Sequence, residues 1–343
     1  MKKIDFAVIG FGHIGSRHAE EISSHTGAEL KAIVDTDADA LKKAKEKYPA
    51  ALYSSIDEFL LHKTGIDIVC ICTPNGLHIN QARQIIDEDM DVLVEKPLGL
   101  YKMECDDLIE FVKVRNRNLF CVLQNRYSPP AQYLKHIVGS LKLGKIFWVE
   151  VNCYWNRDER YYKKGGWRGT NELDGGTLYT QFSHFVDILY WVFGPVKNIE
   201  GRFWDFSHKY LTEFEDTGIF SFEFEHGGAG TFNYSTALWQ QNMESSFTVI
   251  GEKGALKIGG QYMDKLEYFM VEGLEKPELP NGNPPNNYGS HQGSANNHAH
   301  VIDNVVKALN GQPFDIAKAE EAAASVAIIE EVYRIRDAQK IMK

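Results

Sequence analysis

From Ile4 to about Gln124, short runs of β-branched and other apolar residues alternate with stretches whose apolar positions recur every three or four residues. The runs Asp5 to Ile9, Leu30 to Asp35, Ile66 to Cys72, Val92 to Glu95 and Phe120 to Gln124 predict strands, with a weaker one near Leu52. The stretches Ile14 to Ser24, Ala38 to Lys47, Ile56 to His62, Ile79 to Asp89 and Glu104 to Val114 predict helices. Apolar strands separated by helices belong to a parallel sheet built from βαβ units, a doubly wound α/β fold. Such a sheet holds its ligand beyond the C-terminal ends of its strands.

Beyond Ser128-Pro129-Pro130 the pattern changes. A helix from Ala131 to Val138 precedes alternating strands at Lys145 to Tyr154, Gly218 to Phe224, Ala229 to Tyr234, Ser246 to Ile250 and Gly254 to Ile258. Glycine turns join them, which predicts an α+β domain on a largely antiparallel open sheet, interrupted by a helix from about Thr180 to Val192. Lys276 to Asn297, rich in Pro, Asn and Gly, predicts a long loop with no strand or helix period. Ala317 to Ile335 predicts a C-terminal helix. A chain of 343 residues exceeds one comfortable core, so we divide it into residues 1–125 and 126–343. The last helix is free to pack back on the first domain.

Gly10-Phe11-Gly12-His13-Ile14-Gly15 follows the first strand and opens the first helix. In that context a G-x-G-x-x-G loop lets the backbone turn tightly and approach a pyrophosphate at a helix N-terminus. Asp35 ends the next strand, 20 residues after Gly15, where an acid accepts from a ribose 2′-hydroxyl and repels a 2′-phosphate. No Arg or Lys follows it in Thr36-Asp37-Ala38-Asp39, so NAD is expected rather than NADP. Asp37 could serve equally well as the cap of the following helix.

The net charge of -10 argues against nucleic acid as a partner. No apolar run approaches the ~20 residues of a membrane span, and Met1-Lys2-Lys3 leads into a strand, so a cytoplasmic protein is expected. The five cysteines, Cys70, Cys72, Cys105, Cys121 and Cys153, read as reduced, buried thiols. Among His291, His298 and His300 no carboxylate or thiol stands at supporting spacing; no metal is expected, and His298 and His300 read as candidate substrate contacts. An open sheet face offers a self-association surface, so a homodimer or homotetramer is expected.

Thr73-Pro74-Asn75 with His78, and Glu95-Lys96-Pro97, lie just beyond two successive strand ends, at the ligand edge of the sheet. These motifs, the glycine loop, Gly175-Gly176, His184-Phe185-Val186-Asp187 and the C-terminal helix together resemble the Gfo/Idh/MocA family of sugar-type oxidoreductases, over nearly the whole chain. The resemblance implies that Lys96 and a second-domain histidine, His184, act beside the nicotinamide. Many members carry an aspartate four residues before that histidine; here the position is Thr180, which cannot carry a negative charge. Gln124-Asn125-Arg126-Tyr127, Trp167-Arg168-Gly169-Thr170 and Thr180-Gln181 look most like the nucleotide-sugar branch, which includes UDP-N-acetylglucosaminuronate 3-dehydrogenases. On that likeness the cofactor is met by Gly10, Gly12, His13, Ile14, Gly15, Asp35, Thr73, Pro74, Asn75, His78, Glu95, Lys96, Trp167 and Arg168. The substrate is met by Lys96, Asn125, Arg126, Arg157, Thr180, Gln181 and His184. The family also contains simple aldose or polyol dehydrogenases and catalytically silent NAD-binding regulators.

Removing a hydride from a secondary alcohol requires a group to take the hydroxyl proton. Histidine has a working pKa near neutrality, whereas lysine needs desolvation or a neighbouring cation. We assign His184 as the base and Lys96 as the donor that steadies the reacting oxygen; the opposite division also accommodates the residues. Asp187, three residues on, shares a helix face with His184 and could orient its ring. Arg126, Arg157, Arg160 and Arg168 could clamp a carboxylate or diphosphate. Tyr154, Trp155, Tyr161, Tyr162 and Trp167 could stack on a sugar or uracil, or serve as core.

Overall fold

The N-terminal pattern folds as its periodicity requires. The computed structural model describes residues 2–163, 165–287 and 292–341; His291 lies outside them. The strands β1 (Ile4–Ile9), β2 (Ala28–Val34), β3 (Ala51–Tyr53), β4 (Ile68–Ile71), β5 (Asp91–Val94) and β6 (Leu119–Cys121) form one sheet in the order β3-β2-β1-β4-β5-β6. Every neighbouring pair is parallel. β4 and β5 are buried along their whole length, as the unbroken apolar runs require of strands covered on both faces. The helices α1 (His13–Ser24), α2 (Ala38–Lys47), α3 (Ile56–His62), α4 (His78–Asp87) and α5 (Lys102–Arg115) connect them. Strand order reverses between β1 and β4, and the C-terminal ends of β1, β4 and β5 carry Gly10, Thr73 and Lys96. That reversal is the place where a doubly wound sheet takes a ligand.

The chain forms two compact units. One comprises the chain up to Leu123 together with His298–Ala323, the other Gln124–Asn297 and the chain from Ala324 on. The first break thus falls two residues before the division at 125/126. The segment 298–323, assigned from sequence to the second domain, belongs to the first. Its helix α8 (His298–Leu309), not read from sequence, buries Val301, Ile302, Val305 and Val306. Val306 packs where a Cβ on Gly27 would stand, 3.0 Å away, which keeps that turn close to α8.

The second unit opens with α6 (Pro129–Gly139), which starts on Pro-Pro where the missing N–H groups cost nothing. Its sheet contains β7 (Ile146–Tyr154), β8 (Val196–Trp204), β9 (Thr217–Phe224), β10 (Ala229–Ser235), β11 (Glu244–Gly251), β12 (Gly254–Gly259) and β13 (Lys265–Val271). The order is β13-β12-β11-β7-β10-β9-β8, antiparallel except for the β7–β10 pair. The two strands not read from sequence, β8 and β13, are the sheet edges, where neither face is fully covered and alternation fades. The Lys276 to Asn297 loop is corrected in part: β14 (Pro285–Asn287) and β15 (Gln292–Ala295) pair there as strands too short to show a period. The predicted Thr180 helix begins as a π-helical turn over Leu178–Phe182 and continues as α7 (Ser183–Phe193). The last helix, α9, spans Ala319–Ile341. Its first residues, through Ala323, belong to the first unit. All five cysteines are buried and free, as read.

Candidate active site

Backbone geometry dictates the glycine loop. Gly10 has φ +86°, and a Cβ there would meet Cys72 O at 2.8 Å. A Cβ on Gly15 would lie 1.8 Å from Gly10 O, so only glycine fits where α1 crosses the loop. Gly12, the N-cap of α1, differs: a Cβ there would meet nothing within 4 Å. The fold therefore needs glycine at 10 and 15 but leaves open space at 12, the cradle a pyrophosphate would fill at a helix N-terminus with no acid in its first turn. Asp35 sits beside this cradle. Its carboxylate accepts from Phe11 N at 2.5 Å and Asp37 N at 2.8 Å. Asp37, not Asp35, caps α2 by accepting from Asp39 N at 2.9 Å. The acid at 35 is thus fixed to the loop rather than used as a cap, and the residues present fit NAD.

At the ends of β4 and β5 the structure separates groups that face a ligand edge from groups that brace it. Asn75 is buried in a short turn over Asn75–Leu77 that begins after Pro74. Thr73 Oγ1 donates to Gln81 Oε1 at 2.5 Å. His78 is buried between two carbonyls, Nδ1 2.8 Å from Pro97 O and Nε2 2.9 Å from Thr73 O. Burial holds its imidazole below the ordinary range, although both carbonyls favour the charged ring. His78 therefore ties the Thr73 loop to the segment carrying Lys96, and its side chain points into the protein. Glu95 likewise turns inward, 2.7 Å from His18 Nε2, with its other oxygen accepting from Lys96 N at 3.2 Å. Lys96 itself is half-buried and precedes a cis Pro97.

In the second unit, a 3-10 turn over Gln124–Tyr127 supplies two partners to α7. Gln124 Nε2 lies 3.2 Å from His184 Nε2. Arg126 forms a buried bidentate pair with Asp187, Nε to Oδ2 at 2.8 Å and Nη2 to Oδ1 at 2.6 Å. Ser325 also donates to Asp187 Oδ1, at 3.3 Å. Arg126, expected to clamp an anionic substrate, thus has its charge balanced inside the protein. Asp187, expected to orient His184, is occupied by Arg126 and Ser325. Asn125 is buried, and its Oδ1 accepts no hydrogen bond among the described residues.

Arg157 is buried and, among the described residues, bonds neutral acceptors: Gln181 Oε1 at 2.6 Å, Asn156 O at 2.6 Å, Asn242 Oδ1 at 3.2 Å and Gln292 O at 3.1 Å. Burial pulls its guanidinium below the ordinary range. Its plane lies over Trp155 and Tyr161, and Gln181 Nε2 donates to Tyr161 Oη at 2.8 Å. Arg168 lies over Tyr161 and Trp167. Arg160 is a surface residue paired with Asp158. Tyr161 and Tyr162 form a buried cluster with Phe214, so these aromatics are core. Thr180 Oγ1 donates to the buried Asp174, whose other carboxylate oxygen accepts from Gly169 N at 2.7 Å. A carboxylate therefore stands behind Thr180, six residues upstream of it.

Three participants escaped the sequence reading. His18 lies three residues past Gly15 on α1, a spacing that could have marked it as facing the same way as the loop. Gln124 entered only within the Gln124-Asn125-Arg126-Tyr127 likeness, with no role of its own, and Asp174 gave no signal, because an aspartate before paired glycines is ordinary in loops. His298 is corrected: it is fully buried against Glu95, at 3.6 Å, and is no surface contact for a substrate. His300 is exposed on α8. No helix among the described residues is long and apolar enough to cross a membrane.

Residues 4–122 match the NAD-binding Rossmann fold of the oxidoreductase family Gfo/Idh/MocA, and residues 131–257 match that family's C-terminal domain. The WlbA dehydrogenase from Bordetella pertussis, crystallised with NADH and UDP-GlcNAcA, is 30% identical at a TM-score of 0.88, covering 98% of both chains. The WlbA dehydrogenase from Chromobacterium violaceum, in complex with the same two molecules, is 30% identical at a TM-score of 0.87, covering 98% of this chain and 95% of that one. An uncharacterised oxidoreductase from Synechocystis is 27% identical over 81% of this chain and 76% of its own length. With the glycine cradle and Asp35 in place, the chain is an NAD-dependent dehydrogenase belonging to the Gfo/Idh/MocA family.

Proposed function

We propose that the protein oxidises a ring hydroxyl of an anionic, nucleotide-linked sugar, a UDP-linked N-acetylhexosaminuronate at C3. The observation that carries this reading is the likeness, over 98% of both chains, to a dehydrogenase crystallised with UDP-GlcNAcA. The second unit's chemistry agrees with it. Arg157 keeps a buried positive charge bonded, among the described residues, to neutral groups, which favours an anion nearby. Asn125 Oδ1 is a buried acceptor suited to a sugar hydroxyl or amide donor.

Bound NAD would take the hydride from the carbinol carbon. In our assignment His184 takes the hydroxyl proton as the carbinol is oxidised. Lys96 donates to the same oxygen as the carbonyl forms. Thr180, backed by the Asp174 carboxylate, and Gln181, held by Arg157, contact the sugar. Trp167 and Arg168 flank the cofactor.

The test is NADH formation from UDP-GlcNAcA, UDP-GlcNAc, free glucose and inositol. UDP-GlcNAcA should give the highest kcat/KM, and faster turnover of a free polyol would overturn the nucleotide-sugar assignment. Lys96→Ala should abolish NADH production and leave NAD binding intact.

We also propose that the protein self-associates through its second sheet. Strand register places Trp148, Ile250, Ala255 and Met270 side by side, and all but Ala255 are exposed large apolar residues. Sedimentation should show a dimer or tetramer that Trp148→Glu dissociates.

A further inference from the structure

Three buried side chains that the hydride chemistry does not use meet behind the strand end that carries Lys96. His18 Nε2 lies 2.7 Å from Glu95 Oε1, and His298 Nε2 lies 3.6 Å from the same oxygen. Their exposures are 1%, 5% and 0%. His18 comes from α1, the helix that starts in the glycine loop; Glu95 follows β5; His298 is the first residue of α8. Glu95 Oε2 accepts from the N–H of Lys96, and on the other side Pro97 O accepts from His78. The backbone at Lys96 is thus held before and after the lysine.

Electrostatics defines the state of the cluster. Burial opposes a charged ring at His18, but Cys70 and Glu95 outweigh it and raise its pKa to about 10. Burial would raise the Glu95 carboxyl, but His18 and His298 hold it well below the ordinary range. Burial keeps His298 below its usual value. At neutral pH the cluster is an imidazolium–carboxylate pair with a neutral imidazole alongside. Such a pair is a poor source of stability, because desolvating two charges offsets most of their attraction. Its value lies in direction: a short, charge-assisted bond fixes one geometry.

The three ligand-type atoms lie within 4.8 Å of one another, a set a divalent metal could use. The 2.7 Å His18–Glu95 separation is nonetheless that of a hydrogen bond, shorter than the roughly 3.3 Å between two ligands of a tetrahedral ion.

We propose that the His18–Glu95–His298 cluster is a positioning device: it fastens the Lys96 strand end to the helix of the glycine loop, so that the amine and the nucleotide-binding loop keep a fixed separation. This rests on Lys96 acting at the substrate hydroxyl. The test uses the full chain as Glu95→Gln, His18→Gln, the double variant and Lys96→Ala, with active sites counted by NADH titration. Glu95→Gln should lower kcat about 100-fold, the cost of roughly 1 Å of misplacement, with KM and the NADH Kd moved less than about threefold. The double variant, a neutral amide pair, should regain about tenfold. Labelling of Lys96 by trinitrobenzenesulfonate, followed by peptide mapping, should change at least about threefold in Glu95→Gln, because the amine's surroundings change. This readout stands even if no sugar offered is turned over. If Lys96→Ala keeps full turnover, the catalytic reading of the lysine fails. If Lys96→Ala is inactive while Glu95→Gln keeps wild-type kcat and wild-type labelling, the positioning role is overturned. A double variant no more active than the single ones would also overturn it, as would one equivalent of metal co-purifying with the wild type but not with Glu95→Gln.

Discussion

Replacing Gly12 with alanine should separate the demands of the cofactor from those of the fold. At Gly12 the backbone is at φ -74° and ψ -157°, open to any residue, and a new Cβ would meet nothing within 4 Å. The free protein should therefore fold as before, with a thermal midpoint lowered by only a few degrees, since alanine in place of a glycine N-cap costs about 1 kcal/mol. The added methyl would instead fill the space where a pyrophosphate meets the amides at the start of α1. Losing two backbone N–H to phosphate bonds, at about 1.5 kcal/mol each, gives about 3 kcal/mol, or roughly a 100-fold weaker NADH Kd. Gly15→Ala is the control. Its Cβ would lie 1.8 Å from Gly10 O, against a 3.0 Å limit for real contacts, so the loop must shift by about 1 Å and both stability and binding should fall. NADH fluorescence titration and thermal melts measure the two quantities. A Gly12→Ala protein that binds NADH as the wild type does would refute the placement of the pyrophosphate.

Three further outcomes follow from single contacts. Arg126→Met leaves Asp187 buried without its bidentate partner and should cost about 3–5 kcal/mol of stability, read from the denaturant midpoint, whereas Arg160→Met, at the surface, should cost less than about 1 kcal/mol. Asp35→Ser removes the group that repels a 2′-phosphate and that accepts from Phe11 N, so the NAD to NADP ratio of kcat/KM should fall by at least about tenfold; an unchanged ratio would exclude Asp35 as the ribose reader. His18 has its folded pKa raised from 6.5 to about 10, so its contribution is fully present below pH 6.5 and is lost as pH rises through about 10. Urea midpoints should accordingly fall between pH 8 and 10 in the wild type and stay flatter in His18→Gln; parallel curves would contradict a charged His18.

The sheet of the first unit was legible because its strands β4 and β5 are buried on both faces, which writes an uninterrupted apolar run, and because glycine at 10 and 15 is a steric necessity. The proposal of Lys96 and His184 as the reacting side chains comes from motif resemblance. What those residues lean on was not. His78 and Glu95 stand inside motifs at the ligand edge, yet both side chains point inward, and no spacing along one strand end distinguishes inward from outward beyond the last ladder bond. Arg126 reads as a clamp from sequence, because the carboxylate that neutralises it lies 61 residues away. The segment 298–323 gave no sign of returning to the first unit, since a helix period records which face is buried and not against which partner.

These supports share a design. Each candidate reacting group sits one residue or one helical turn from a buried charge pair: Lys96 beside Glu95 with His18, and His184 beside Asp187 with Arg126. In the second unit the single turn Gln124–Tyr127 delivers both contacts, Gln124 to the His184 ring and Arg126 to Asp187 on the same helix. Two attachments one turn apart on α7 resist rotation of the helix about its axis, which a lone apolar contact would leave soft. Apolar substitutes for a buried pair are often as stable or more so, so stability alone does not explain two such pairs at these places. On the proposed roles of Lys96 and His184, hydride transfer does, because it tolerates little error in the position of the group that takes the proton.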